Sequence, residues 1–272
     1  MKFSKSAQAR FVNPSLRKRP KTSAANNVVG VTIFVAVLVL AFQFGVYIGE
    51  NRITRTTTSP PHWTEYNILE LEQHFKCDEA YATARPIWTA DQWREIRDLY
   101  QEFSKVNQEG THQIAKDRTF DSSEFAVPFQ AGKVKGRGLM AARDIAEGEI
   151  ILRSSNNTIA FTDGLTYRKF LFAMEERFPS FGCDVMNWNW VQDLDDEGEA
   201  FGIVVELNDD NLLNTEDEET AANLHCGTPG EEDSCDMKDL KFYSAREIRK
   251  GEELVGSYGE FVSYHSWDEF GL

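Results

Sequence analysis

The longest unbroken apolar run in the chain is Val28 to Ile48, VVGVTIFVAVLVLAFQFGVYI: 21 residues without a charge, in which only Thr32 and Gln43 are clearly polar. As an α-helix it would be about 31 Å long, which matches a hydrocarbon core. A secretory signal has a shorter apolar core and a small-residue cleavage site, and neither is present. The pattern therefore predicts a transmembrane helix over residues 28–49, preceded by a basic tail (1–27) and followed by a linker (50–62). The linker contains RITRTTTSPP from Arg52 to Pro61, whose Thr, Ser and Pro content gives an extended spacer.

Beyond the linker the period changes to that of amphipathic helices. Thr89-Ala90-Asp91-Gln92 has the form of a capping box. Trp93, Ile96, Tyr100, Phe103 and Val106 follow at helical spacing, predicting a helix over about 90–107 that docks its apolar stripe on the rest of the protein. Tyr66–Phe75 is a second helical segment. Residues 63–124 thus read as a helical flank. From Phe125 onward short apolar runs alternate with Gly- or Asp-centred turns, the texture of strands. One helix interrupts them at 165–178 (LTYRKFLFAMEERF). A short echo links two turns: Ala142-Arg143-Asp144-Ile145-Ala146-Glu147-Gly148-Glu149-Ile150 resembles Ala245-Arg246-Glu247-Ile248-Arg249-Lys250-Gly251-Glu252-Glu253-Leu254. Glycine supplies the positive φ such turns need. The two turns bracket one domain.

Composition changes the picture less than charge does. Of the 272 residues 41% are hydrophobic and 12% aromatic, which excludes a disordered chain, a collagen and a multi-pass membrane protein. The net charge of -15 divides sharply: residues 1–49 carry seven Lys/Arg and no acid, so the remainder is at -22. A basic flank before the span places the N-terminus in the cytosol and residues 50–272 in a lumen of the endomembrane system. The basic, acid-free start also resembles a mitochondrial presequence, with the inner membrane as the alternative address. The acidic domain is a poor phosphate binder, so no nucleic acid is expected; it suits a basic protein partner or is a solubility device. Asn156-Asn157-Thr158 is a glycosylation sequon. Cys226 and Cys235 bracket a Gly/Pro/acidic loop and either form a disulfide or stay as thiols. Asp193-Leu194-Asp195-Asp196-Glu197-Gly198 opens like a calcium loop, but its twelfth position is Val204 where a Glu is required, so it reads as a solvated turn.

Two blocks carry a resemblance to a known family. Lys135-Gly136-Arg137-Gly138-Leu139, with Ala142-Arg143-Asp144-Ile145 and Gly148-Glu149, resembles the opening of a SET domain. Tyr243-Ser244-Ala245-Arg246-Glu247-Ile248, with Gly251-Glu252-Glu253-Leu254-Val255-Gly256-Ser257-Tyr258-Gly259, resembles its close. The resemblance spans about 125–260, leaving 261–272 as an aromatic tail. It implies a mainly β fold of small curved sheets with pseudoknot-like C-terminal threading. It implies S-adenosylmethionine as cofactor and methyl transfer to a lysine amine of a protein substrate. Gly136, Arg137, Gly138 and Asn214 would bind the cofactor, with the two glycines letting the backbone approach it. Tyr258 would be catalytic, orienting the amine and the transferring methyl.

The chain departs from the family pattern in two places. Thr215 and Glu216 follow Asn214 where the family has His and Ser, and the second asparagine, Asn223, comes nine residues after the first, across the acidic run Glu216–Glu219. No cysteine follows Cys235, so the zinc site that many members carry after the tyrosine is not expected. Tyr264, His265, Trp267 and Phe270 end the chain instead, as a wall over the lysine channel or as a tail docked on the core. Two functions follow: a membrane-anchored protein-lysine methyltransferase with the bilayer as partner through residues 28–48, or an inactive SET-like module that presents its acidic surface to a basic protein.

Overall fold

The computed structural model describes residues 61–272 except 84, 131–135, 196–197, 216–221, 232–234, 237–238, 258–259 and 261–265. The predicted span at 28–48, the tail before it and the linker up to residue 60 lie outside the described residues. Among the described residues no helix is long and apolar enough to cross a membrane.

The flank folds from its caps. Asn67 and Glu70 form a reciprocal capping box that starts α1 (Ile68–Phe75). This helix begins two residues later than the sequence pattern suggests, because the Asn67 side chain takes the Glu70 N–H. Helix α2 (Cys77–Tyr81) follows a left-handed Lys76. The Thr89–Gln92 box forms as expected and starts α3 (Ala90–Val106). Trp93, Ile96 and Tyr100 of its stripe are buried, whereas Val106 at the frayed end is 84% exposed and leaves the stripe. These side chains join one core with Leu71, Phe161, Phe170 and Phe181.

Strand β1 (Thr111–Gln113) runs from the flank into a sheet with β5 (Thr158–Phe161), β7 (Phe201–Glu206) and β6 (Trp190–Asp193), in the order β1-β5-β7-β6. Between β5 and β6 lie two helices where the sequence pattern suggests one. Helix α4 (Gly164–Arg177) is capped by Asp163, and α5 (Phe181–Trp188) follows a left-handed Ser180. The second was missed because FGCDVMNW is only eight residues long, carries Gly, Asp and Asn among its apolar residues, and has no side-chain cap at Ser180. It is a core helix buried on most sides.

Two further sheets enclose a second core of Leu139, Ile145, Ile151, Leu224, Ile248 and Leu254. One is β2 (Ala126–Gln130), β3 (Arg137–Ala141), β11 (Glu253–Gly256) and β8 (Asn214–Thr215); the other is β4 (Ile150–Arg153), β10 (Lys241–Ser244) and β9 (Leu224–Cys226). The mainly β expectation of small sheets therefore holds for this half of the protein. The two echoing turns pair directly: Ile145 and Ile248 exchange backbone hydrogen bonds of 2.8 and 3.0 Å. Each turn repeats the same contacts. Gly148 and Gly251 share a φ of +83°. Arg143 pairs with Glu149, and Arg246 with Glu252. Each glutamate also accepts a backbone N–H of its own turn, from Ala146 and from Arg249.

All four cysteines are bonded, Cys77 to Cys183 and Cys226 to Cys235, which corrects the free-thiol alternative. The first bond ties the flank to α5 and was not anticipated, since its two halves are 106 residues apart. The Asp195 carboxylate accepts the N–H groups of Glu199 and Ala200, so it closes its own turn.

A buried polar layer lies at the end of β7. Glu206 accepts a 2.6 Å bond from the Thr158 hydroxyl, and Asp210 accepts from Ser122 and Asn208. Burial first, then the mutual charge, pushes Glu206 from its ordinary 4.5 up to about 8. Burial likewise raises Asp210 from 3.8 to about 6. The folded state then binds more protons than the unfolded one between those values, so stability falls as pH rises through the window from about 4.5 to about 8. Urea midpoints are expected to be higher at pH 5 than at pH 8, with Glu206→Gln flattening the slope. Equal slopes in the two proteins would refute the assignment.

Candidate functional site

Gly136 and Gly138 flank Arg137 at the entry to β3. Gly136 has φ +76°, which only glycine adopts at little cost, and open space lies where its Cβ would stand. Gly138 is held for the opposite reason. A Cβ there would sit 2.7 Å from Asn214 Nδ2 and 2.9 Å from Phe129 Cε1. The backbone of this turn is thus exposed at one glycine and tightly backed at the next.

The Arg137 side chain points away from that open face. It is 3% exposed and forms a two-pronged ion pair with Asp184 of α5, at 2.6 and 2.8 Å. Its guanidinium also donates to the Pro86 carbonyl and lies 4.8 Å from the Trp188 ring. Of Arg137, only the backbone is left to meet a ligand; the side chain is committed to the core.

Asn214 closes the other side. Its Nδ2 donates 3.1 Å to the Arg137 carbonyl and 2.9 Å to Glu253 Oε1. Its strand β8 pairs in parallel with β11, Asn214 opposite Val255. Asn223, only 3% exposed, binds the same strand. Its side-chain amide behaves as a strand peptide: Nδ2 donates 2.7 Å to the Glu253 carbonyl, and Oδ1 accepts the Val255 N–H at 2.9 Å. The two asparagines therefore clamp β11 despite the residues inserted between them. The sequence marked Asn223 only by its distance from Asn214 and missed Glu253 altogether.

Tyr258 and Gly259 lie outside the described residues, as do Glu216–Glu219, Tyr264 and His265. Ser257, just before them, is buried. Glu260, just after, is fixed to β9: Oε1 lies 2.6 Å from His225 Nδ1 and Oε2 accepts the Cys226 N–H at 2.6 Å. Trp267 and Phe270 pack on the core against Tyr167 and Phe201, and Arg168 binds the Gly271 carbonyl. That part of the tail is docked on the core.

Gly138→Ala must displace Asn214 or Phe129, and overpacking of this kind costs about 1–3 kcal/mol. Gly136→Ala has room and carries only the left-handed backbone penalty of roughly 1–2 kcal/mol. Urea unfolding is expected to rank Gly138→Ala as the more damaging. The reverse order would mean that Asn214 yields and does not back the turn.

The SET domain family model matches residues 136–259. No curated protein matches the chain. Among solved structures, a Plasmodium falciparum chain named as a candidate histone methyltransferase aligns at 17% identity and TM-score 0.30, covering 53% of this chain and 96% of that one. Chaetomium thermophilum Polycomb Repressive Complex 2, in an autoinhibited conformation bound to S-adenosylmethionine, aligns at 20% identity and TM-score 0.33, covering 54% of this chain but 16% of that one. Gly136 to Gly259, from the glycine turn to the closing Tyr-Gly, is the matched stretch. Residues 136–259 of this chain are similar to the SET domain family.

Proposed function

We propose that the protein is a membrane-anchored, S-adenosylmethionine-dependent protein-lysine methyltransferase. S-adenosylmethionine is the methyl donor of SET methyltransferases, and the residues around the glycine turn fit it. The observation that carries the reading is the contact of Asn214 with the Arg137 carbonyl, which joins the Gly136–Gly138 turn to β11 in one wall. Gly136 leaves room beside its backbone, and Asn214 and the exposed Glu253 add an amide and a carboxylate to the same rim.

Methyl transfer is an in-line displacement from a sulfonium to a neutral amine. The cofactor supplies the electrophilic methyl. The chain's own task is positioning more than acid–base force. The turn and Asn214 would hold the donor, and the Tyr258 hydroxyl would orient the lysine nitrogen. The lysine amine must lose its proton before attack; it takes the methyl as the sulfonium C–S bond breaks, so it emerges as a charged methylammonium and the donor is left as a neutral thioether.

The apolar run at 28–48 supports the anchor, and the basic segment before it supports a lumenal domain. Two disulfides that use every cysteine are consistent with an oxidising compartment. The Asn156 side chain is exposed at the start of β5, where a glycan would meet no core.

Calorimetry of S-adenosylmethionine on the full chain in detergent is expected to show micromolar binding. No heat in a folded sample would favour the alternative, an inactive module for a basic protein partner. Tyr258→Phe is expected to keep cofactor binding and lose transfer; transfer at the wild-type rate would remove Tyr258 from catalysis. In cells, endoglycosidase treatment is expected to shift the wild-type protein and not Asn156→Gln. An unshifted wild type would argue for the mitochondrial inner membrane.

A further inference from the structure

We infer that Asp184, a buried carboxylate on α5, is a positioning residue for the cofactor turn, and that the helical flank acts on the site through it. The inference rests on the proposed cofactor role of that turn. Asp184 is 2% exposed and gathers donors from two separate stretches of chain. Oδ1 takes Arg137 Nη2 at 2.6 Å and the Arg85 guanidinium. Oδ2 takes Arg137 Nη1 at 2.8 Å and the Trp88 indole N–H at 2.8 Å. Arg85 and Trp88 belong to the flank, and Arg137 belongs to the turn.

Arg137 fixes both halves of the candidate site. Its neighbours in sequence are Gly136 and Gly138. Its carbonyl holds Asn214, and its guanidinium is held by Asp184. Two parallel N–H···O bonds set the plane and the distance of the guanidinium, so the arginine backbone is located as well as neutralised. The carboxylate is itself fixed from its own helix. The preceding residue, Cys183, is bonded to Cys77 of α2, and its carbonyl accepts the Tyr81 hydroxyl at 2.7 Å. The Tyr81 ring in turn lies 4.7 Å beneath the Arg85 guanidinium.

A merely structural ion pair would stabilise the protein without touching ligand affinity. Asp239 provides that comparison. It binds Arg153 and Arg118 beside β4 and β10 and contacts no residue of the turn. In the full chain, Asp184→Asn is expected to weaken S-adenosylmethionine binding by about tenfold, since small displacements of positioning groups have effects of this order. Turnover at saturating cofactor should change by less than about twofold, because the reacting groups are untouched. Asp239→Asn should leave the dissociation constant unchanged at a similar loss of thermal stability. Arg85→Met and Trp88→Phe each remove one flank donor and keep the Arg137–Asp184 pair. They are expected to weaken binding by about threefold, and they carry the test if Asp184→Asn does not fold. Amide exchange adds a readout that needs no cofactor: Arg137–Ala141 should exchange faster in Asp184→Asn and not in Asp239→Asn. Equal effects of the two substitutions on affinity, or unchanged exchange at 137–141, would overturn the inference. A wild type that binds no cofactor would sink the functional reading alone, and the exchange comparison would still decide whether Asp184 positions the turn.

Discussion

One buried carboxylate with four donor atoms around it organises this protein. Asp184 is out of water, where an unpaired charge would be very costly, so Arg85, Trp88 and Arg137 must all arrive for it to be satisfied. Arg85 and Trp88 arrive from the flank and Arg137 from the turn. The flank, α5 and β3 are consequently fixed to one another at a single point. The aromatic core around Trp88, Trp93 and Phe181 then fills the space beside it. The flank is part of the same compact unit, residues 61–272, as the domain it precedes.

The second organising contact is the pairing of the two echoing turns. Ile145 and Ile248 close the strand-rich half of the protein on itself. Strand β11 leaves the second turn already held by β3 on one side. Asn214 and Asn223 then secure it on the other. The strand is therefore gripped along its whole length before the chain reaches Tyr258. Side-chain amides do here what a neighbouring strand would otherwise do, which is why the altered sequence between the two asparagines leaves the strand in place.

What the sequence disclosed and what it hid follow one physical rule. Signals carried by neighbours in the chain were legible: the Thr89–Gln92 cap, the stripe of α3, the two glycine turns and the Gly136–Gly138 spacing. Signals carried by distant partners were not. Nothing near Arg137 announces that its guanidinium turns inward, because its partner lies 47 residues on. Cys77 and Cys183 show no spacing that ties them together. Asn223 looked like a displaced member of a motif, and its strand-like hydrogen bonds exist only once β11 is beside it. Helix α5 was hidden because it is only eight residues long and carries Gly, Asp and Asn among its apolar residues. The Val28–Ile48 run remains legible in sequence alone, as it lies outside the described residues.

The Cys77–Cys183 bond also bears on how the chain is made. Its halves are 106 residues apart, so at ordinary translation rates the flank waits roughly 5 to 20 s for its partner to leave the ribosome. During that interval Leu71, Trp88, Trp93 and Ile96 have no α5 to cover them. Until Cys183 emerges Cys77 has no partner within the chain, and when it does emerge Cys226 and Cys235 are still to come. Vectorial synthesis thus gives Cys183 the first opportunity, and the exposed flank is the point at which this protein would lean on a chaperone.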